Sequence, residues 1–181
     1  MSTNAPYAWK SYFVVQADYQ QWANDRLFAA LGRMDSAMLM STQDLFFDSI
    51  HHTVDHMLLV NQLWFARLRG ETFVADFAKI TYSDWNELIE VTQAQARELQ
   101  LWLEECDDAF FERQLAYFTT KGEPQQMWVR DVLTHMMTHQ AHHRGQISAV
   151  ITRLGYRSLE MDYVYYKRDI DAYRSELAAI P

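Results

Sequence analysis

The sequence predicts an all-α protein: a four-helix bundle with a small β-hairpin before the fourth helix and a C-terminal extension. Three observations lead there. Apolar residues recur at helical spacing over four long stretches, as in helices with one core-facing side. The 181 residues include five Gly and three Pro, few for a chain built from many strands and tight turns. The connections between the stretches are too short for wide excursions, so the helices pack on one another. With 49% hydrophobic residues, the chain is long enough to form one domain over 1–181 with a sizeable core. Six Trp, ten Tyr and ten Phe argue against disorder.

The first helix is expected from about Trp9 to Leu31, with Phe13, Ala17, Trp22, Leu27 and Phe28 on a broad apolar side. Gly32 is placed to end it. Met34 to Gln43 reads as a connection, with Ser41 or Thr42 as a cap for the next helix. The second helix is expected from Asp44 to Arg69 and closed by Gly70; it is apolar around most of its circumference, as in a helix buried on more than one side. His51 faces away from His52 and His56, which are four residues apart. Glu71 to Ile80 is a linker. Thr81 to Glu87 looks like a helix start with hydroxyl caps followed by acids, and the third helix continues to about Leu103. Glu104 to Arg113 is acidic and irregular. The β-prone run from Leu115, the Lys121-Gly122 turn and a second short run to Met127 predict the hairpin. Beyond Gly155 the tail carries Met161 to Arg168 and then a short amphipathic run to Ile180.

The fourth helix, expected from near Met127 to Leu154, carries four of the seven histidines. Val129, Val132, Met136, His139, His143, Ile147, Val150 and Leu154 form one stripe, so two histidines one turn apart stand where apolar residues are expected. Burying two imidazoles without a partner is costly, and a pair at i and i+4 can point at one cation. Neutral imidazole suits zinc, nickel and iron alike. His135 and His142 lie on the flank of the stripe with Gln146 and Arg153. A third imidazole from the facing second helix would complete a site with an open position, the arrangement of a catalytic metal. Spacing alone leaves His52 and His56 as alternatives for it. Gly145 costs about 1 kcal/mol against Ala inside a helix, so close approach of another helix or a ligand is expected there.

Composition narrows the function classes. A net charge of −8 works against binding a nucleic-acid backbone or anionic lipid. No apolar run approaches the ~20 residues of a membrane span. The stretch Met1 to Tyr7 lacks the regions of a signal peptide. The single cysteine, Cys106, fits a reducing cytosol, and its acidic neighbours Glu104, Glu105, Asp107 and Asp108 make it a poor nucleophile. A cytoplasmic protein without nucleic-acid or membrane partners is therefore expected.

Several segments together resemble the DinB-like family of small four-helix proteins, which shares its fold with the metal-dependent YfiT-like proteins. They are Tyr19 to Leu27; His56 with Leu63 to Leu68; His135-Met-Met-Thr-His-Gln-Ala-His-His-Arg-Gly-Gln146; and Asp162 to Tyr166. The resemblance spans about Ala17 to Lys167, and the fourth-helix motif is its specific part. It implies a divalent metal held by three histidines, which fall on His56, His139 and His143. Where the family usually has Asn before its first fourth-helix ligand, this chain has Thr138.

The resemblance further implies a homodimer and a small-molecule substrate, with zinc or nickel activating a low-molecular-weight thiol for attack on an electrophile. A metal-dependent hydrolase is the neighbouring expectation. A metal-binding stress-response protein without turnover is the alternative from another class. No general acid or base is assigned, since His52, His135 and His142 are candidates by proximity alone. Arg144 is expected to contact a neighbouring acid or to steer an anionic substrate.

Overall fold

A computed structural model describes residues 8–157 and 159–178. The stretch Met1 to Tyr7, expected to lack the regions of a signal peptide, and the end of the amphipathic run at Ile180 lie outside them. Among the described residues six α-helices and one hairpin follow in chain order: α1 (Trp9–Leu31), α2 (Ser36–Met40), α3 (Ile50–Arg69), α4 (Trp85–Glu105), β1 (Gln114–Phe118), β2 (Pro124–Trp128), α5 (Val129–Arg153) and α6 (Tyr163–Ala178). A 3-10 turn at Asp108–Glu112 sits between α4 and β1. The bundle is made by α1, α3, α4 and α5. Helix α1 packs against α4 and α5, and α3 packs against the same two.

Local chemistry explains most boundaries. The first helix ends where expected, at Gly32, whose N–H donates to the Phe28 carbonyl at 2.8 Å. The expected connection after it contains the short α2, capped by Asp35, whose carboxylate accepts from the Ala37 N–H. Helix α3 starts six residues later than Asp44. Asp48 takes a left-handed φ of 62°, which breaks any helix running through it, and the Ser49 hydroxyl then caps α3 by accepting from the His52 N–H. At its other end Gly70 turns left-handed at φ 73°, and the N–H of Glu71 reaches back to the Ala66 carbonyl. The cap of α4 is Asp84, which accepts from the Glu87 N–H, rather than a hydroxyl. Met127 belongs to β2, paired with Leu115, so α5 begins two residues later than expected.

Two apolar clusters form the core. One gathers Leu27, Leu31, Ile50, Val54, Met57, Leu58, Leu88, Ile147 and Ile151. The other gathers Phe13, Phe65, Leu99, Leu103, Phe111, Val132, Leu133 and Met136. Burying each such side chain contributes roughly 1.5–3 kcal/mol. Buried polar side chains from all four bundle helices accompany them: Gln20, Asn24, Asp55, Gln95, Gln140 and Arg144. Arg144 is 2% exposed, and its Nη1 donates to the amide oxygens of Gln20 and Asn24. The expected neighbouring acid is replaced by neutral acceptors. Helix α5 buries more than its stripe, because Leu133, Met137, Gln140, Arg144 and Ile151 form a second line; it has two helical neighbours to face.

Helix α6 lies along α1, where the Tyr166 hydroxyl donates to Asp18 at 2.6 Å and the Tyr19 hydroxyl to the Met161 carbonyl at 2.8 Å. The hairpin rests on α3 through Trp64 and Tyr117, whose ring centroids are 5.0 Å apart. That contact answers the instability of an isolated two-stranded ribbon in water. Among the described residues, no helix is long and apolar enough to cross a membrane.

The expectation of a close approach at Gly145 is not met. The position is exposed, and a Cβ there would find no atom within 4 Å. Nothing in the structure explains this glycine. Gly145→Ala is therefore expected to stabilise the protein by up to about 1 kcal/mol, measured as a rise in the urea midpoint at constant slope; a fall would reveal a contact at this position.

Candidate metal centre

The facing sides of α3 and α5 bring three imidazoles together. His139 and His143 project from α5 one turn apart, and His56 meets them from α3. The Nε2 atom of His139 lies 3.2 Å from Nε2 of His56 and 3.2 Å from Nε2 of His143. One ring nitrogen from each residue falls within 4.8 Å of the other two. Two nitrogens on one tetrahedral cation at about 2.05 Å stand roughly 3.3 Å apart, so the spacing suits a shared ion.

Hydrogen bonding alone explains the trio poorly. A neutral imidazole nitrogen carries either one lone pair or one N–H. His139 Nε2 therefore cannot serve both neighbours as well as a single partner would, whichever tautomer it takes. A cation accepts all three lone pairs at once.

The surroundings orient the rings. His143 Nδ1 donates to the Gln146 side-chain oxygen at 2.7 Å, which leaves its Nε2 as the lone-pair nitrogen turned toward His139. Gln140, 2% exposed, donates from Nε2 to the Met57 carbonyl at 2.9 Å. That bond ties α5 to α3 beside His139 on one helix and beside His56 on the other. Phe47 stacks on His56 with centroids 3.9 Å apart and planes 24° apart. Phe77, from the linker between α3 and α4, meets His56 edge-on at 5.4 Å. Fully buried Asp55 holds that linker down by accepting from the N–H groups of Thr81 and Tyr82 at 3.1 and 2.8 Å.

Burial and mutual repulsion keep the trio neutral. The His139 pKa is pushed down to about 3, first by burial and then by His143 and His56. That of His56 falls to about 4, again by burial first and then by His143 and His52. Burial also lowers His143, against the opposing bond to Gln146. At pH 7 all three rings offer lone pairs with little competition from protons.

The remaining histidines add no ring nitrogen to the cluster. His51 is buried and donates from Nε2 to the Tyr82 carbonyl at 2.7 Å, beside Trp85. His52 packs against Phe47 at 5.4 Å, so geometry separates it from His56, which spacing could not do. His135 fills the gap between Trp64 at 5.4 Å and His139 at 5.6 Å. His142 is exposed and flanks His143. Cys106 ends α4 away from this cluster, and its thiol pKa is raised by burial and then by Asp107.

Several supporting residues carry no clear sequence signal. Gln146 is visible in the sequence only as a flank residue, although its place three positions after His143 permits the bond. Phe77 lies in a connection, where no periodicity announces a role, and Phe47 lies in a stretch expected to be helical, where its nine-residue offset would put it on the face opposite His56.

A four-helix bundle with three convergent imidazoles defines a class of candidate metalloproteins, and comparison with known proteins narrows it. The DinB family model matches residues 1–173, and the chain belongs to the DinB family. Protein DinB of Bacillus subtilis (strain 168) is 27% identical over 165 residues, covering 82% of this chain and 90% of that protein. YfiT from Bacillus subtilis, described as a probable metal-dependent hydrolase with an unusual four-helix bundle topology, superposes with a TM-score of 0.63 at 15% identity. The match covers 87% of this chain and 94% of that one. At that identity the likeness shows the fold.

The depressed pKa values set a pH window. Unfolded histidines take up protons near pH 6.5, whereas folded His56 and His139 resist until about 4 and 3. The metal-free protein should therefore have this contribution in full above pH 6.5 and lose it as pH falls toward 4 and below. Urea midpoints measured across that range should decline, and a variant with His56→Gln and His139→Gln should show a flatter decline. Parallel curves for the two proteins would contradict the assignment.

Proposed function

We propose that this chain is a divalent-metal-dependent enzyme in which His56, His139 and His143 hold the metal. The reaction is transfer of a low-molecular-weight thiol to an electrophile. One observation carries the reading: three neutral imidazoles converge, and among the described residues no fourth His, Cys, Asp or Glu joins them. Three protein ligands are the donor set of a catalytic rather than a structural site. The chemistry such a cation supplies is that of a Lewis acid, making a thiol or water nucleophilic near neutral pH. Three imidazoles suit zinc and nickel equally, and availability selects between them.

The chain's own residues contribute shape and orientation. Gln146 sets the tautomer of His143, and Gln140 fixes the spacing of the two helices. Phe47 and Phe77 cover His56 and keep water from that side. Among the described residues no carboxylate belongs to the cluster to serve as a base. That favours a thiol, whose ordinary pKa of about 8.5 needs far less lowering than that of water. Hydrolysis is the second reading, favoured by the likeness to YfiT, a probable metal-dependent hydrolase. A metal-binding protein without turnover is separated from both by the absence of any thiol or substrate that engages the metal.

Elemental analysis of protein purified without a His tag should find about one divalent ion per chain. His56→Ala, His139→Ala and His143→Ala should each reduce it to near zero, whereas His51→Ala and His52→Ala should leave it unchanged. Normal metal in the α5 variants would show the ligands to be misassigned.

Metal-loaded protein should also be stabilised by a small thiol, by about 2.7 kcal/mol at a hundredfold excess over Kd. Metal-free protein should show no such shift in melting temperature. Equal shifts in both forms would remove the thiol from the metal.

A further inference from the structure

Arg67 lies eleven residues beyond His56 on α3. That is about three turns, which returns it to within roughly 20° of the same face, some 16 Å along the axis. Leu63, two turns beyond His56, belongs to that face as well. Both residues line a cleft of about 580 Å3 between the linker, which contributes Phe73, and the hairpin, which contributes Tyr117, Phe118 and Thr119.

The guanidinium is held in place yet lacks an acid. Its Nη2 donates to the Phe118 carbonyl at 2.6 Å, and its central carbon lies 4.5 Å from the Trp64 ring centroid and 4.9 Å from that of Tyr117. Among the described residues no carboxylate pairs with it. Glu71 also borders the cleft, but Arg69 engages it at 2.6 Å. A guanidinium presents five N–H donors in a planar fork, and one carbonyl uses few of them.

No histidine lines the cleft, but side chains packed one on the next run from its rim to the histidines on two sides. Trp64 packs 5.0 Å from Tyr117 and 5.4 Å from His135, which in turn lies 5.6 Å from His139. The linker supplies Ala75 to the cleft and, two residues on, Phe77 to His56.

We propose that this cleft receives the far end of an elongated substrate and that Arg67 binds a carboxylate there, while the reacting end lies at the three histidines. The inference rests on the metal-enzyme reading and adds the substrate class. The molecule spans about three helical turns and carries its carboxylate remote from its reacting group. Orientation follows from the fork: a carboxylate fixed at Arg67 limits which atom can reach the histidines.

Calorimetry on metal-loaded protein tests this with three probes. Acetohydroxamate is a metal-binding head alone; the second is the monohydroxamate of a roughly ten-carbon α,ω-dicarboxylic acid, whose extended length approaches the helical span; the third is its methyl ester. Wild-type protein should bind the acid about tenfold more tightly than the ester, the effect of one charge-assisted pair. Arg67→Gln should bind acid and ester alike while keeping wild-type metal content and wild-type affinity for acetohydroxamate. Equal affinities for acid and ester in the wild type, or a preference that survives Arg67→Gln, would overturn the proposal. The wild-type comparison decides alone should the variant not fold. If acetohydroxamate itself does not bind, the metal-enzyme reading falls and takes this inference with it; if it binds while acid and ester do not differ, only the carboxylate site is lost.

Discussion

Neutral imidazoles can be buried side by side only if their nitrogens find something to bind. His56, His139 and His143 occupy positions on the facing sides of α3 and α5 that would otherwise be filled with apolar side chains. Their Nε2 atoms meet instead of turning outward, and burial holds them uncharged. That arrangement sets the requirements for the surrounding structure. The two helices must stay in register, the rings must keep one tautomer, and water must be limited around them.

Each requirement is met by residues that look unremarkable singly. Gln140 bridges the two helices at the level of the trio, and Gln146 orients one ring. Asp55 carries the longest reach. One buried carboxylate fastens two backbone N–H groups of the linker, and the linker in turn places Phe77 on His56 and Phe73 beside the Arg67 cleft. Removing a buried acceptor of that kind leaves two donors without partners, at roughly 1–3 kcal/mol each. The aromatic cover and the cleft wall therefore depend on a residue adjacent in sequence to a proposed ligand but turned toward the linker.

Buried polarity also recurs away from the histidines. Arg144 sits inside the bundle with amide oxygens from α1 and, among the described residues, no paired acid, beside a residue of the trio. A cation in that position is retained only while its partners are in place, since an unpaired buried charge is costly. Such a network discriminates among rotations of α5 that an all-apolar seam would tolerate. It thereby helps to aim His139 and His143.

Helix existence and most helix ends are legible in the sequence because they depend on neighbours one turn away. Gly32 and Gly70 stop helices by local hydrogen bonding, and the His139–His143 pair shares a face by spacing alone. The start of α3 is not legible in the same way: Ser41 and Thr42 read as caps, while the left-handed Asp48 and the Ser49 hydroxyl decide the matter. The resemblance to a known family points to His56, but periodicity by itself cannot prefer it to His52. Only the rotation of α3 against α5 separates the two, and that rotation is set by side chains distant in sequence. The cover by Phe47 and Phe77, the clamp by Asp55 and the cleft at Arg67 are likewise decided by tertiary packing. Their partners come from connections and from the hairpin, where the chain carries no period to read and geometry arises only once the helices have packed.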